Sequence, residues 1–300
     1  MNAARTTIGF VGLGNMGGNM AERLLAAGYP VSGWQRSREH AHHLIEQGLQ
    51  WREAPRAVAE QAEVIVTSLP DDAVLDEVAT APDGILAGLG KDGIWIDMST
   101  VSPQASRELA ARVRAEGAWM LDAPVSGSVP QVQAGTLTIM VGGDADAYRR
   151  VEPVLRELGT PNYIGDNGQG LALKLAINIS LAVQMLAFAE GLLLAERSGI
   201  DRQRALDVME ESPIGSPMLR ARASIILEPP EEAWFDLRFM HKDIELALDA
   251  ARNLEIPLPT AERTDDVLEQ AVALGYERRD LAALFQALEQ IATGDRPREG

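Results

Sequence analysis

Residues 168–198 read GQGLALKLAINISLAVQMLAFAEGLLLAERS. Leu, Ala, Ile, Val and Met fall on every side of a helix drawn through this stretch, so no single face is wet. At 1.5 Å per residue it runs about 40 Å, the diameter of a small domain. Gly170 lies near its start, and Gly199 follows its end where a helix stop is expected. The length would also span a bilayer. However, Lys174, Asn178, Gln184, Glu190, Glu196 and Arg197 interrupt the apolar run, which therefore predicts a buried helix of a soluble protein. Lys174 and Asn178 are four apart and stack on one face. An amine in apolar turns needs a reason, because burying an unpaired charge is expensive. One reading lets Lys174 snorkel to water along its stem; the other gives it a chemical task.

On the N-terminal side, Thr6–Leu13 is a short β-rich run, and Gly12-Leu13-Gly14-Asn15-Met16-Gly17 closes it. Met20, Leu24 and Leu25 then recur at helical spacing up to Gly28. Alone, the three glycines could mark an ordinary glycine-rich turn. Between a strand and a helix they suit a dinucleotide. The first allows the tight turn, the second admits a pyrophosphate to the backbone, and the third packs helix on strand. The helix N-terminus then offers N–H groups and a positive dipole end. The second strand, Pro30–Trp34, runs into Gln35-Arg36-Ser37-Arg38. A carboxylate about 20 residues beyond the glycines would hold the ribose 2′-hydroxyl of NAD. Here Gln35, Arg36 and Ser37 stand instead. An arginine fork beside a hydroxyl suits a 2′-phosphate, so NADPH is expected to be preferred over NADH; the alternative is a solvated basic turn.

Further strands are expected at Glu63–Pro70, Gly93–Thr100, Ala118–Asp122 and Thr136–Val141, with helical patterns between most of them. Leu69 and Pro70 close the third strand and join the cofactor-contacting set. This alternation predicts a doubly wound parallel α/β sheet, an N-terminal Rossmann dinucleotide-binding domain over residues 1–166. A turn at Asn162–Gly168 leads into the long interdomain helix. No strand is expected beyond about residue 165. Helices at 202–211, 216–227, 237–253, 260–274 and 279–292 make residues 167–292 an all-α substrate and dimerisation domain. Residues 293–300 read as a flexible tail.

Composition narrows the function classes. A net charge of −17 over 300 residues argues against sequence-independent nucleic-acid binding and against docking on anionic membranes. No cysteine is present, so thiolate and disulfide chemistry are excluded. The N-terminus shows no signal-peptide pattern, and a cytoplasmic protein is expected. The four histidines form no convincing set: His40, His42 and His43 fall in a surface helix, and His241 lies far away in sequence. No metal is expected. Met185 and Phe188 read as core or interface.

Four segments together resemble the β-hydroxyacid dehydrogenase family. They are Gly12–Gly17, Asp122-Ala123-Pro124-Val125-Ser126-Gly127, Gly168-Gln169-Gly170 with Lys174 and Asn178, and Lys242-Asp243. The run Gly135–Gly143 matches too, and the resemblance covers nearly the whole chain. It implies that Lys174 is the catalytic acid/base and that Asn178 orients the reacting groups. It implies that Ser126 and Gly127 hold the substrate carboxylate, that Thr100 contacts the nicotinamide side of the cofactor, and that Lys242 lies near the closed active site. It also implies a homodimer through the helical domains. The chain departs from the family at Ser128, where a second glycine is usual, at Val129–Gln133, and at Gly275–Asp280.

Physical chemistry accommodates these roles. Hydride addition to a carbonyl puts negative charge on oxygen, and a lysine ammonium both stabilises that charge and gives the proton. The expected activity is therefore an NADP-dependent interconversion of short hydroxy acids and semialdehydes. An imine reductase acting on C=N bonds is one alternative; such enzymes resemble the first domain, including Arg36-Ser37, but usually carry Asp or Tyr where Lys174 stands. A non-catalytic NADP-binding module is another, and it would need none of Lys174, Asn178 and Ser126.

Overall fold

The structure is a computed structural model that describes residues 6–230 and 232–293. The chain divides into two compact units, Met1–Lys174 and Leu175–Gly300.

Short apolar runs build the first unit. Strands β1 (Ile8–Val11), β4 (Val64–Thr67) and β5 (Ile94–Asp97) are buried at every position. Burial on both faces explains why they read as continuous apolar runs rather than alternating ones. With them lie β2 (Val31–Trp34), β3 (Gln50–Trp51), β6 (Trp119–Asp122), β7 (Val125–Ser126), β8 (Leu137–Gly143) and β9 (Gly159–Gly165). The helices of this unit are α1 (Asn15–Ala26), α2 (His42–Glu46), α3 (Pro55–Ala59), α4 (Asp72–Thr80), α5 (Pro103–Ala115), α6 (Val129–Ala134) and α7 (Ala145–Leu158). Ser102 caps α5 as its sequence implies, its hydroxyl accepting from the Ala105 amide at 2.9 Å with Pro103 at the first helical position.

The sheet order is β3-β2-β1-β4-β5-β6-β8-β7, with β9 on the other side of β8. Strands β3 through β6 are all parallel, and the order reverses beside β1, the switch point at which such sheets bind ligands. Register aligns Trp34, Val11, Thr67, Asp97 and Asp122 in one row across the carboxyl ends. The glycine turn and Gln35–Ser37 follow two of these ends directly, Leu69–Pro70 start two residues past β4, and Thr100 lies three past β5.

Two expectations are corrected. The sheet is not wholly parallel: β8 runs antiparallel to β6 and β7 and parallel to β9. The antiparallel register continues unbroken across Ala123-Pro124, so β6 and β7 successively pair with the same edge of β8. The turn expected to begin at Asn162 begins instead after Gly165, because 159–165 is strand β9. Gly159, Pro161 and Gly165 gave it the look of a loop. The other edge of β8 supplies the hydrogen-bonding partner that fixes it as an edge strand. Tyr163 anchors it by donating to the Gly143 carbonyl at 2.9 Å and stacking on Tyr148.

The second unit is helical. Helix α8 (Gln169–Arg197) enters it from the first, and α9 (Arg202–Glu211), α10 (Pro217–Leu227), α11 (Leu237–Asn253), α12 (Pro259–Ala271) and α13 (Leu284–Thr293) follow. By length and composition alone α8 could cross a membrane. Its Ala182, Met185, Phe188, Ala189 and Leu192 are instead core residues, packed in one cluster with Leu206, Met240, Ile244 and Phe285. A buried ion pair, Arg222 to Asp280 at 3.3 Å, ties α10 to the segment before α13. Thr293 ends α13, and the rest of the expected tail lies outside the described residues.

Candidate active site

The glycine turn has three different steric environments. Gly12 has φ +92°, and a Cβ there would meet the Ser68 carbonyl oxygen at 2.3 Å. At Gly17 a Cβ would sit 2.0 Å from the Gly12 carbonyl oxygen, so helix and turn approach to backbone contact. At Gly14 a Cβ would meet nothing within 4 Å. The protein's own packing thus requires the outer two glycines and leaves open space beside the middle one. Gly14 caps α1 without a side chain, and no acidic residue stands in the first turn. The helix start bearing Leu13, Asn15 and Met16 therefore suits a phosphate, as a nicotinamide dinucleotide requires.

Beyond β2, Arg36 and Ser37 are both exposed. Arg38 lies 3.7 Å from Glu53 and over the Trp51 ring, whereas Arg36 enters no ion pair among the described residues. Gln35 turns back to donate to the Ser37 carbonyl at 3.1 Å.

The ends of β4 and β5 are joined by side chains. Asp97 Oδ1 accepts from Thr67 Oγ1 at 2.7 Å and from Ser99 Oγ at 2.6 Å. Ser99 Oγ accepts from the Leu69 amide at 2.9 Å. Burial pushes the Asp97 carboxyl up from 3.8 to about 6, against its hydrogen bonds to Ser99 and Thr67; the charge of Asp122, one strand over, adds to the rise. Leu69 is half-buried and Pro70 exposed, while Thr100 is half-buried.

Ser126 ends β7 and is half-buried; Gly127 follows with φ +127°. A Cβ at Gly127 would lie 2.9 Å from both Gln131 and Leu137 side chains. Ser128, the departure from the family pattern, starts α6. Its amide donates to Gln131 Oε1 at 2.9 Å, the capping-box return of a third helical residue. This bond gives both Ser128 and Gln131 a local role.

Lys174 is held by the anchoring of its helix. Asp122, fully buried, accepts from the Gly168 amide at 2.7 Å through Oδ1 and from the Leu171 amide at 3.0 Å through Oδ2. A carboxylate at a helix N-terminus also meets the positive dipole end. Burial nonetheless raises its pKa, opposed by these two backbone bonds. Gly170 lets the first turn press on the sheet, since a Cβ there would meet the Met140 carbonyl oxygen at 2.3 Å. Lys174, one turn on from Gly170, is 9% exposed, against the snorkelling reading.

In the second unit Asn178 is 1% exposed and donates through Nδ2 to Asp243 Oδ2 at 2.6 Å. Lys242 Nζ stands 3.0 Å from the other oxygen of Asp243. Asp243, 2% exposed, thus fixes the amide orientation of Asn178 and pairs the ammonium of its own neighbour. Sequence reasoning quoted Asp243, Asp122 and Asp97 without giving them roles. Most of their partners lie far off in sequence, up to 65 residues away; only Ser99 beside Asp97 and Lys242 beside Asp243 are near.

Comparison with known proteins matches both parts of the chain. Residues 7–168 match the model of the NAD binding domain of 6-phosphogluconate dehydrogenase. Residues 168–288 match the NAD-binding model of NADP-dependent 3-hydroxyisobutyrate dehydrogenase. The chain is 33% identical to 2-(hydroxymethyl)glutarate dehydrogenase of Eubacterium barkeri over 286 residues, covering 95% of each protein. Among solved structures, Mycobacterium tuberculosis 3-hydroxyisobutyrate dehydrogenase with L-serine superposes with a TM-score of 0.84 at 32% identity, covering 95% of this chain and 99% of that one. An imine reductase from Pseudomonas sp. is more distant, with a TM-score of 0.63 at 25% identity, covering 95% and 99%.

Proposed function

The chain belongs to the β-hydroxyacid dehydrogenase family, and from that premise we propose that it is an NADP-dependent oxidoreductase of short hydroxy acids and their semialdehydes, with Lys174 as general acid/base. It is an enzyme acting on hydroxyl donors with a nicotinamide cofactor. The observation that carries the catalytic assignment is a buried lysine on a helix whose start is locked by Asp122.

When bound, the nicotinamide supplies or accepts the hydride. The chain's own residues do the rest. The first-turn amides of α1, around Gly14, hold the pyrophosphate, and Leu69, Pro70 and Thr100 line the cofactor. Ser126 Oγ and the Gly127 amide grip the substrate carboxylate. Lys174 Nζ gives its proton to the carbonyl oxygen during reduction and takes it back from the hydroxyl during oxidation. With Nδ2 committed to Asp243, Asn178 offers its carbonyl oxygen to orient the ammonium or the substrate hydroxyl. Lys242 stays beside Asp243 and joins the cofactor-binding set.

The preference for NADPH is motivated by Arg36, exposed, unpaired with acid among the described residues, and standing with Ser37 where a ribose-binding carboxylate would otherwise be. On the same reading residues 1–166 carry the nucleotide, and 167–292 carry substrate and dimer surfaces. A cytoplasmic location is part of the same proposal. A spectrophotometric screen of NADPH oxidation with small aldehydes, keto acids and cyclic imines tests the whole. Turnover with semialdehydes supports the reading. Turnover confined to cyclic imines, or none at all with any carbonyl, overturns it.

A further inference from the structure

We propose that Asp97 is a positioning residue for the cofactor: one of its oxygens, through Ser99 and Thr67, ties the ends of β4 and β5 in the arrangement that receives the dinucleotide. The direction of every hydrogen bond in the group can be worked out. Trp95 Nε1 is a donor only. It gives its proton to Thr67 Oγ1 at 2.9 Å, so the Thr67 hydroxyl proton points to Asp97 Oδ1 at 2.7 Å. On the other side the Leu69 amide donates to Ser99 Oγ at 2.9 Å, so the Ser99 hydroxyl proton points to the same oxygen at 2.6 Å. The Ser99 amide adds a third bond to it at 3.2 Å. Two chains of donors therefore converge on one acceptor, and both hydroxyls lose their rotational freedom.

The group is sealed from water. Thr67, Trp95 and Asp97 are fully buried, and Ser99 is 3% exposed. Keeping a carboxyl there costs free energy that an apolar residue would not. Pure packing does not call for such a group at the end of a central strand. What the group does is fix backbone. Leu69 lies two residues past the end of β4, and Thr100 directly follows Ser99 after β5. Both leave the carboxyl edge of the sheet next to the switch point, and both are read here as cofactor contacts. The second oxygen, Oδ2, has no hydrogen-bond partner among the described residues. An asparagine that keeps its carbonyl at Oδ1 preserves every bond of the network.

This proposal rests on the assignment of Leu69, Pro70 and Thr100 to the cofactor and on nothing about Lys174 or the substrate. The test is titration of the full-length protein with NADPH and with NADH, read by nucleotide fluorescence without substrate, alongside thermal melting. Ser99→Ala and Asp97→Ala should each raise the dissociation constant about tenfold, the loss of a buried charge-assisted hydrogen bond. Asp97→Asn should stay within about threefold of the parent. Should Asp97→Ala fail to fold, Ser99→Ala and Asp97→Asn carry the comparison. Parental nucleotide affinity in Ser99→Ala overturns the proposal, even if its melting temperature falls, because the network would then be structural only. Equal damage from Asp97→Asn and Asp97→Ala also overturns it. A parent that binds neither nucleotide would sink the cofactor assignment and the proposal together.

Discussion

Gly14 is the glycine that the protein's own packing does not require. A Cβ meets nothing there, whereas one at Gly12 or Gly17 would strike backbone oxygen. Two of the three motif positions thus serve the turn, and the third has open space beside its backbone. Arg36 is the complementary case, an exposed cation in a chain of net charge −17 without an acidic partner among the described residues. Replacing Arg36 with Ala should raise the Michaelis constant for NADPH much more than that for NADH. Steady-state kinetics with both nucleotides check this, and equal efficiency of the parent with the two would remove the basis for an NADP preference. These residues were legible in the sequence because each lies within a short, ordered motif. Asp243 was not, because nothing local shows that its carboxylate reaches Asn178, 65 residues earlier. Ser128 looked like a plain departure from the family, yet its amide closes a capping box with Gln131.

Helix α8 owes its place to its first turn. Asp122 accepts both the Gly168 and the Leu171 amides, and Gly170 allows contact with the Met140 carbonyl. Asp122→Ala would leave two buried N–H groups unpaired, each costing about 1–3 kcal/mol. The variant should therefore unfold at lower urea concentration. Its turnover should fall more than its NADPH affinity, because Lys174 sits one turn beyond the loosened end. Parental stability and parental turnover would show that the helix start needs no clamp. The existence of α8 was legible from composition, and the helices after it from periodicity. Strand direction was not: Thr136–Val141 reads the same whether it runs parallel or antiparallel, and only its pairing with β6, β7 and β9 decides it. Strand β9 was hidden for a related reason, since its Gly159, Pro161 and Gly165 are loop residues until a sheet edge claims them.

At the scale of the molecule, exposed apolar side chains collect on the second unit. Leu194 is 70% exposed, Val208 64%, Ile214 53% and Ile200 46%, from the end of α8 through α9 and the segment after it. Exposed apolar side chains, where they adjoin, suit an association surface. A second copy about a two-fold axis is the simplest cover. We therefore predict a homodimer through the helical unit, with chain separation coupled to unfolding. Multi-angle light scattering should give twice the 32.4 kDa of one chain. A folded, active monomer at micromolar concentration would contradict the prediction.

The central claim is that a lysine buried one turn into α8 moves the proton while a nicotinamide moves the hydride. Lys174→Ala tests it most directly, measured as turnover on the best carbonyl substrate and as NADPH affinity in the same preparation. Turnover should fall by about 10²–10⁴ with NADPH affinity nearly unchanged, the usual worth of a general acid/base. Near-parental turnover would contradict the account and leave Lys174 a buried lysine without a chemical task.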